Sequence, residues 1–122
     1  MASCVIVDDE PDTRFVVRHA VEGPDDAIAV VGEASSGDEA MECWRELHPD
    51  VIVLDQRIPG GSGLEVAERI LSEDPGQLIV LFTEHLDTAL ARRAGEIGVR
   101  ACLPKTDLRR LRTTLLELLG LL

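Results

Sequence analysis

Asp8, Asp9, Asp55, Thr83 and Lys105 each close a short apolar run. The runs are Cys4 to Val7, Val51 to Leu54, Leu78 to Phe82 and Ala101 to Pro104. Polar residues at the ends of successive parallel strands are how an open α/β sheet assembles one site. This set reads as a carboxylate pocket for a hard cation, a target aspartate, a hydroxyl and a lysine. Asp8 and Asp9 are neighbours, and inside a strand their side chains would point apart. At a strand end the second has already left the sheet, so both reach the space above it. With Asp55, three carboxylates converge and repel one another. A divalent cation removes that repulsion, and oxygen ligands at an open site suit Mg²⁺, or Mn²⁺ in its place. Asp55 is then a nucleophile toward activated phosphorus. Lys105 and Thr83 are placed to hold the transferring oxygens. The plainer readings are that Asp8 and Asp9 cap the next helix, and that Lys105 is a buried partner of Asp55 with no phosphate involved.

The elements that must position these residues alternate strictly. The first strand is Cys4 to Asp8, and Pro11 suits the first turn of a helix. Phe15, Val16, His19 and Ala20 read as its apolar stripe, and Gly23-Pro24 ends it. The second strand is Ala27 to Gly32. Ser36 with Glu39 predicts a capping box, followed by Ala40, Trp44 and Leu47 at helical spacing. The third strand is Val51 to Asp55. A glycine loop follows in which Gly63 is expected to use its freedom at positive φ. Leu64, Ala67, Ile70 and Leu71 line a third helix. Leu78 to Phe82 is the fourth strand, and Leu86, Leu90, Ala94 and Ile97 mark a fourth helix ended by Gly98. The fifth strand is roughly Val99 to Leu103. Thr106 is expected to cap a last helix that carries Leu108, Leu111, Leu115 and Leu118. Five strands and five helices in alternation predict a flavodoxin-like, doubly wound parallel sheet of order 2-1-3-4-5, in three α/β/α layers. That order sets Asp8 beside Asp55 at the carboxyl edge.

At 122 residues the chain suits one domain spanning 1–122, either whole or excised from a longer protein. Tyrosine is absent and only Phe15, Phe82 and Trp44 are aromatic, so Val, Ile, Leu and Ala must fill the core. The net charge of −11 disfavours nucleic acid and anionic membrane as partners of this domain. Arg92, Arg93, Arg109, Arg110 and Arg112 form no basic stripe. Cys4, Cys43 and Cys102 lack metal or disulfide spacing and read as free, buried thiols of a reducing compartment, which points to the cytoplasm. Leu116 and Leu119, in the leucine-rich tail, read either as part of a wide core contact or as a partner face.

The runs VIVDDEP, LDQRIPGGSGLE, VLFTEH and CLPK, taken in this order, resemble the receiver domain of two-component response regulators over nearly the whole chain. AVVGEASSGDEAM and PDVIVLD are most similar to receivers that precede helix-turn-helix output domains. The resemblance implies that Asp8 and Asp9 form the acidic pocket, with Asp9 the more direct Mg²⁺ ligand and the Arg57 backbone carbonyl another. It implies Asp55 as phosphoacceptor, Thr83 as the switching hydroxyl and Lys105 as the family lysine. The implied partners are a sensor histidine kinase, an output domain, and a second copy through the helix four, strand five and helix five face. The implied role is signalling with slow self-dephosphorylation rather than turnover. A phosphatase of similar topology would carry a second aspartate where Arg57 stands.

Four positions depart from the family pattern. Cys102 stands where a switching aromatic ring is usual. Glu84 follows Thr83 where a small residue is common, and His85 lies next to it. Pro104 precedes Lys105 instead of following it, and a trans bond is expected there. Arg57 leans over the entrance and is expected to pair with Glu84 as a gate. These departures open an alternative: a pseudo-receiver that acts as a phosphorylation-independent interaction or dimerisation module.

Overall fold

The computed structural model describes residues 1–122. Strand β1 (Ala2–Val7) leads to helix α1 (Pro11–Glu22), β2 (Ile28–Ala34), α2 (Gly37–Leu47) and β3 (Val51–Leu54). Two short strands, β4 (Arg57–Ile58) and β5 (Gly61–Ser62), precede α3 (Gly63–Glu73). Then come β6 (Leu78–Thr83), α4 (Thr88–Ile97), β7 (Ala101–Pro104) and α5 (Leu108–Leu118). The main sheet is parallel, with order β2-β1-β3-β6-β7. Counting sheet strands alone, this is the expected 2-1-3-4-5, with β6 and β7 as the fourth and fifth.

Alternation along each strand feeds two separate cores. Cys4 and Ile6, Val51 and Val53, and Val80 and Phe82 face α1 and α5, where Val17, Val21, Leu111 and Leu115 meet them. Val5 and Val7, Ile52 and Leu54, and Ile79 and Leu81 face α2, α3 and α4. Such two-sided burial is why these runs are apolar throughout. Trp44 closes the second core and donates its Nε1–H to Gln77 Oε1 at 3.1 Å.

Several details differ from the sequence reading. In α1 the buried residues are Val17 and Val21, whereas Phe15 is 64% and Val16 49% exposed. Phe15, Val16 and Val17 are consecutive, so periodicity alone could not choose which row faces inward. Leu47 is exposed and lies over Gly32. Leu86 precedes α4, which is capped by Asp87 accepting from Leu90 N–H at 2.8 Å. The α5 N-cap is Asp107 rather than Thr106, and the Asp107 carboxylate turns to Arg110. Leu116 is buried and Leu119 packs on the α1–α5 core, so both belong to the core contact, whereas Leu121 and Leu122 are exposed. Of the thiols, only Cys4 is buried; Cys43 and Cys102 are partly exposed. No peptide bond is cis, so Leu103-Pro104 is trans. Ser36 Oγ accepts from Glu39 N–H as expected, but the Glu39 carboxylate reaches back to Ser35. That bond to the Ser35 N–H, then one to the Ser35 hydroxyl, lowers the Glu39 pKa.

The loop after β3 is a small hairpin. Gly60 (φ 81°) and Gly61 (φ 143°) take the positive dihedrals of its turn, and Gly63 does not. Gly63 is needed for close approach: its N–H donates to Gln56 O at 2.9 Å, and a Cβ there would overlap the Asp55 carbonyl oxygen. Gly63→Ala should therefore cost about 1–3 kcal/mol, the usual scale of overpacking. Gly95, inside α4 with open space around its Cα, is the contrasting case. Gly95→Ala should gain about 0.5–1 kcal/mol. Chemical denaturation of both variants checks the pair.

Candidate functional site

The parallel ladder runs one residue past each strand and carries the polar residues with it. Asp8 N–H donates to Ala34 O, Asp55 N–H to Val7 O and Lys105 N–H to Thr83 O, each at 3.0 Å. Asp8, Asp55 and Lys105 continue the side-chain parity of Ile6, Val53 and Leu103, which face the α1–α5 core. They therefore converge. Lys105 Nζ donates to Asp8 Oδ2 at 2.7 Å and to Asp55 Oδ2 at 2.9 Å. Asp8 is 2% and Asp55 6% exposed, so the ammonium compensates two carboxylates held away from bulk water. Partial burial pulls the Lys105 pKa down, but hydrogen bonds to Asp8 and Asp55, and their charges, outweigh it and hold it above the ordinary 10.5.

A cavity of about 220 Å³ opens above this bridge, lined by Asp9, Glu10, Asp55, Arg57, Thr83, Glu84 and Lys105 and by no hydrophobic residue. Asp55 Oδ1 carries no hydrogen bond, and no buried side-chain oxygen in the chain is left unpaired, so Oδ1 is open to that cavity. The same holds for the Thr83 hydroxyl. Asp9 is exposed, and its carboxylate makes no ion pair. Carboxylate oxygens of Asp8, Asp9 and Glu10 lie within 4.8 Å of one another. Three hard oxygen donors at an open, polar mouth fit a divalent cation that keeps some of its waters.

The family model described as "Response regulator receiver domain" matches residues 4–116. The chain belongs to the response regulator receiver domains. It is 37% identical over 103 residues to a protein-glutamate methylesterase/protein-glutamine glutaminase of Hahella chejuensis, covering 83% of this chain and 29% of that protein. It is 37% identical over 98 residues to the nitrate/nitrite response regulator protein NarL of Escherichia coli K12, covering 76% of this chain and 45% of that protein. The chain thus spans less than half of these relatives. Among solved structures, a LuxR-family two-component response regulator from Aurantimonas superposes with a TM-score of 0.93 at 33% identity, over 98% of this chain and 86% of that one. The signal receiver domain of a NarL from Mycobacterium tuberculosis gives 0.90 at 29% identity, over 98% and 96%.

The remaining candidate residues of this receiver are less tightly grouped. Arg57 and Glu84 both line the cavity, but no ion pair joins them, so the expected bridge across the mouth is absent. Arg57 is anchored by its pairing with Ser62 in the hairpin. Glu84 lies in the loop before α4, four residues ahead of its first turn, too far for the helix dipole to hold it. His85 is 64% exposed, lies 3.9 Å from Glu84 and does not line the cavity. Cys102 packs half-buried against the core that includes Leu90 and Ile97, and burial raises its thiol pKa. It is a small neutral filler on the α4 side.

Sequence reasoning missed Glu10 and Arg14. Glu10 belongs to the acidic cluster, and its N–H donates to Asp8 Oδ1 at 2.9 Å. The run of three acids was itself the available signal. Arg14 donates to the Asp8 backbone carbonyl at 2.7 Å, a contact that spacing cannot reveal.

Lys105→Met should lower stability at neutral pH by on the order of 2–3 kcal/mol, below the range for a fully enclosed pair because the cavity admits water. The Lys105 pKa is raised on folding, so its contribution is complete below pH 10.5 and fades as pH rises through the folded value. The gap between wild type and variant, measured by urea titration, should be flat to about pH 10 and then close.

Proposed function

We propose that this receiver accepts a phosphoryl group on Asp55 from a histidine of a sensor kinase. What carries the reading is Asp55 Oδ1, open to a polar cavity while Oδ2 is held by Lys105. Attack by Oδ1 forms an oxygen–phosphorus bond as the nitrogen–phosphorus bond of phosphohistidine breaks, and the departing imidazole nitrogen takes up a proton. Lys105 is already within reach and supplies positive charge to the phosphoryl oxygens. Thr83 offers its hydroxyl to one of them. Asp8, Asp9, the Asp55 carboxylate and the Arg57 backbone carbonyl are the proposed donors for Mg²⁺. When bound, the ion neutralises the carboxylates and draws charge from the phosphoryl oxygens.

Phosphorylation would then shift a two-state equilibrium in the α4–β7–α5 face that an output domain or a second copy reads. Phe15, Val16 and His19 expose an apolar face on α1, which begins two residues after Asp9 and suits a transient kinase contact. No helix is long and apolar enough to cross a membrane. We place the domain in the cytoplasm, with the kinase's phosphorylated histidine.

Acetyl phosphate with Mg²⁺ should add one phosphoryl mass to the wild-type chain and none to Asp55→Asn, which should keep the wild-type circular dichroism. Labelling that survives the substitution would overturn Asp55 as the acceptor, and wild type that stays unlabelled with metal present would leave the pseudo-receiver reading in its place. Arg57→Ala combined with Glu84→Ala should change the lifetime of the phosphorylated form. A barrier change of about 1 kcal/mol would alter it about fivefold. An unchanged lifetime in the double variant would remove both residues from access control.

A further inference from the structure

We infer that Arg14 is a positioning residue for the acidic loop, tying it to the edge of the sheet. The inference rests on the proposed cation site. Arg14 Nη1 donates to the Asp8 backbone carbonyl at 2.7 Å, and Nε donates to Glu33 Oε1 at 3.0 Å. The side chain therefore spans from the loop Asp8–Glu10 to edge strand β2. Glu33 is fixed in turn: its Oε2 accepts from Arg18 Nη1 at 2.6 Å, and Arg18 Nη2 donates to Val30 O at 3.0 Å. The Arg14 N–H also donates to Glu10 O at 3.0 Å.

These bonds complete the restraint of Asp8. Its N–H is taken by Ala34 O, its carbonyl by Arg14, Oδ1 by Glu10 N–H and Oδ2 by Lys105. Only the Arg14 bond reaches the carbonyl, the group whose orientation sets the peptide plane entering Asp9. Asp9 makes no hydrogen bond or ion pair of its own, so that plane is what places its backbone beside the cavity. A planar guanidinium can donate along two directions at once, which a lysine ammonium on a flexible stem does not reproduce. Groups of this kind, which orient a ligand without touching the ion, are commonly worth tenfold or more in metal affinity.

Arg14 also brings a positive charge to the back of the acidic cluster. Charge and positioning therefore predict opposite signs. If only its charge mattered, removing Arg14 would tighten cation binding. If it positions the loop, removal must weaken binding.

The test is Mg²⁺ titration of the full chain by calorimetry, with amide hydrogen exchange at Glu10, whose N–H is bonded to Asp8 Oδ1, measured without metal. Arg14→Met should bind Mg²⁺ about tenfold more weakly and exchange faster at the Glu10 amide. Arg14→Lys, which keeps the charge, should also bind more weakly. Arg112→Met, which removes a remote ion pair with Asp25, should leave both readouts at wild-type values. Affinity that is unchanged or tighter in folded Arg14→Met overturns the inference. Should that variant not fold, Glu33→Ala, which removes the carboxylate that holds the guanidinium, decides: exchange at Glu10 must rise, and an unchanged rate overturns the inference. Wild type that binds no Mg²⁺ fails the cation site itself, whatever Arg14 does.

Discussion

The register of the parallel sheet is the constraint on which the rest of the structure depends, and the Lys105 ammonium between Asp8 and Asp55 is where it is read. Three strand ends must be level for one nitrogen to reach both carboxylates at 2.7 and 2.9 Å. The register supplies this: Val7 pairs with Leu54, Leu54 with Leu81 and Thr83 with Pro104. A one-residue slip would turn the polar ends toward the other face and the apolar set with them. The fully buried Val, Ile and Leu of β1, β3 and β6 penalise any such slip. The core thus fixes the site through the register.

Much of this was legible because the same residues serve two needs. A run such as Val51 to Leu54 must be apolar on both faces, so the polar residue that ends it stands out. Local caps were also readable where one side chain meets one nearby amide, as Ser36 does. What stayed hidden depends on rotation or on distant partners. Three consecutive apolar residues, Phe15 to Val17, do not reveal which one α1 turns inward. Thr106 and Asp107 are both good caps, and the tight turn after β7, where Asp107 N–H donates to Pro104 O at 2.9 Å, decides where α5 starts. Gly63 reads as a turn residue, yet its function is to let α3 come down on the Asp55 carbonyl. Arg14 is an ordinary helix arginine in sequence. Its bonds reach a carbonyl six residues back and a carboxylate on β2.

The same contrast separates helices α3 and α4. Helix α3 buries Gly63, Leu64, Val66, Ala67, Ile70 and Leu71, whereas α4 fully buries only Ala94. Few apolar anchors mean a low cost of local displacement. Helix α4, reached from Thr83 by a four-residue loop, is therefore the less firmly anchored of the two. In a receiver with an aromatic ring at the Cys102 position, the ring would have to find room whenever Thr83 moved. Here the position holds a small, half-buried thiol packed on the same core as Leu90 and Ile97, and no such repacking is required. Under the proposed phosphorylation, a Thr83 displacement toward Asp55 would be read from the placement of α4 itself. The difference between states would be spread over Leu90, Ile97 and the Asp87 cap rather than concentrated in one ring. A readout of that form has weaker steric coupling to any single side chain, and it makes the packing of α4 against its partner the quantity on which the response depends.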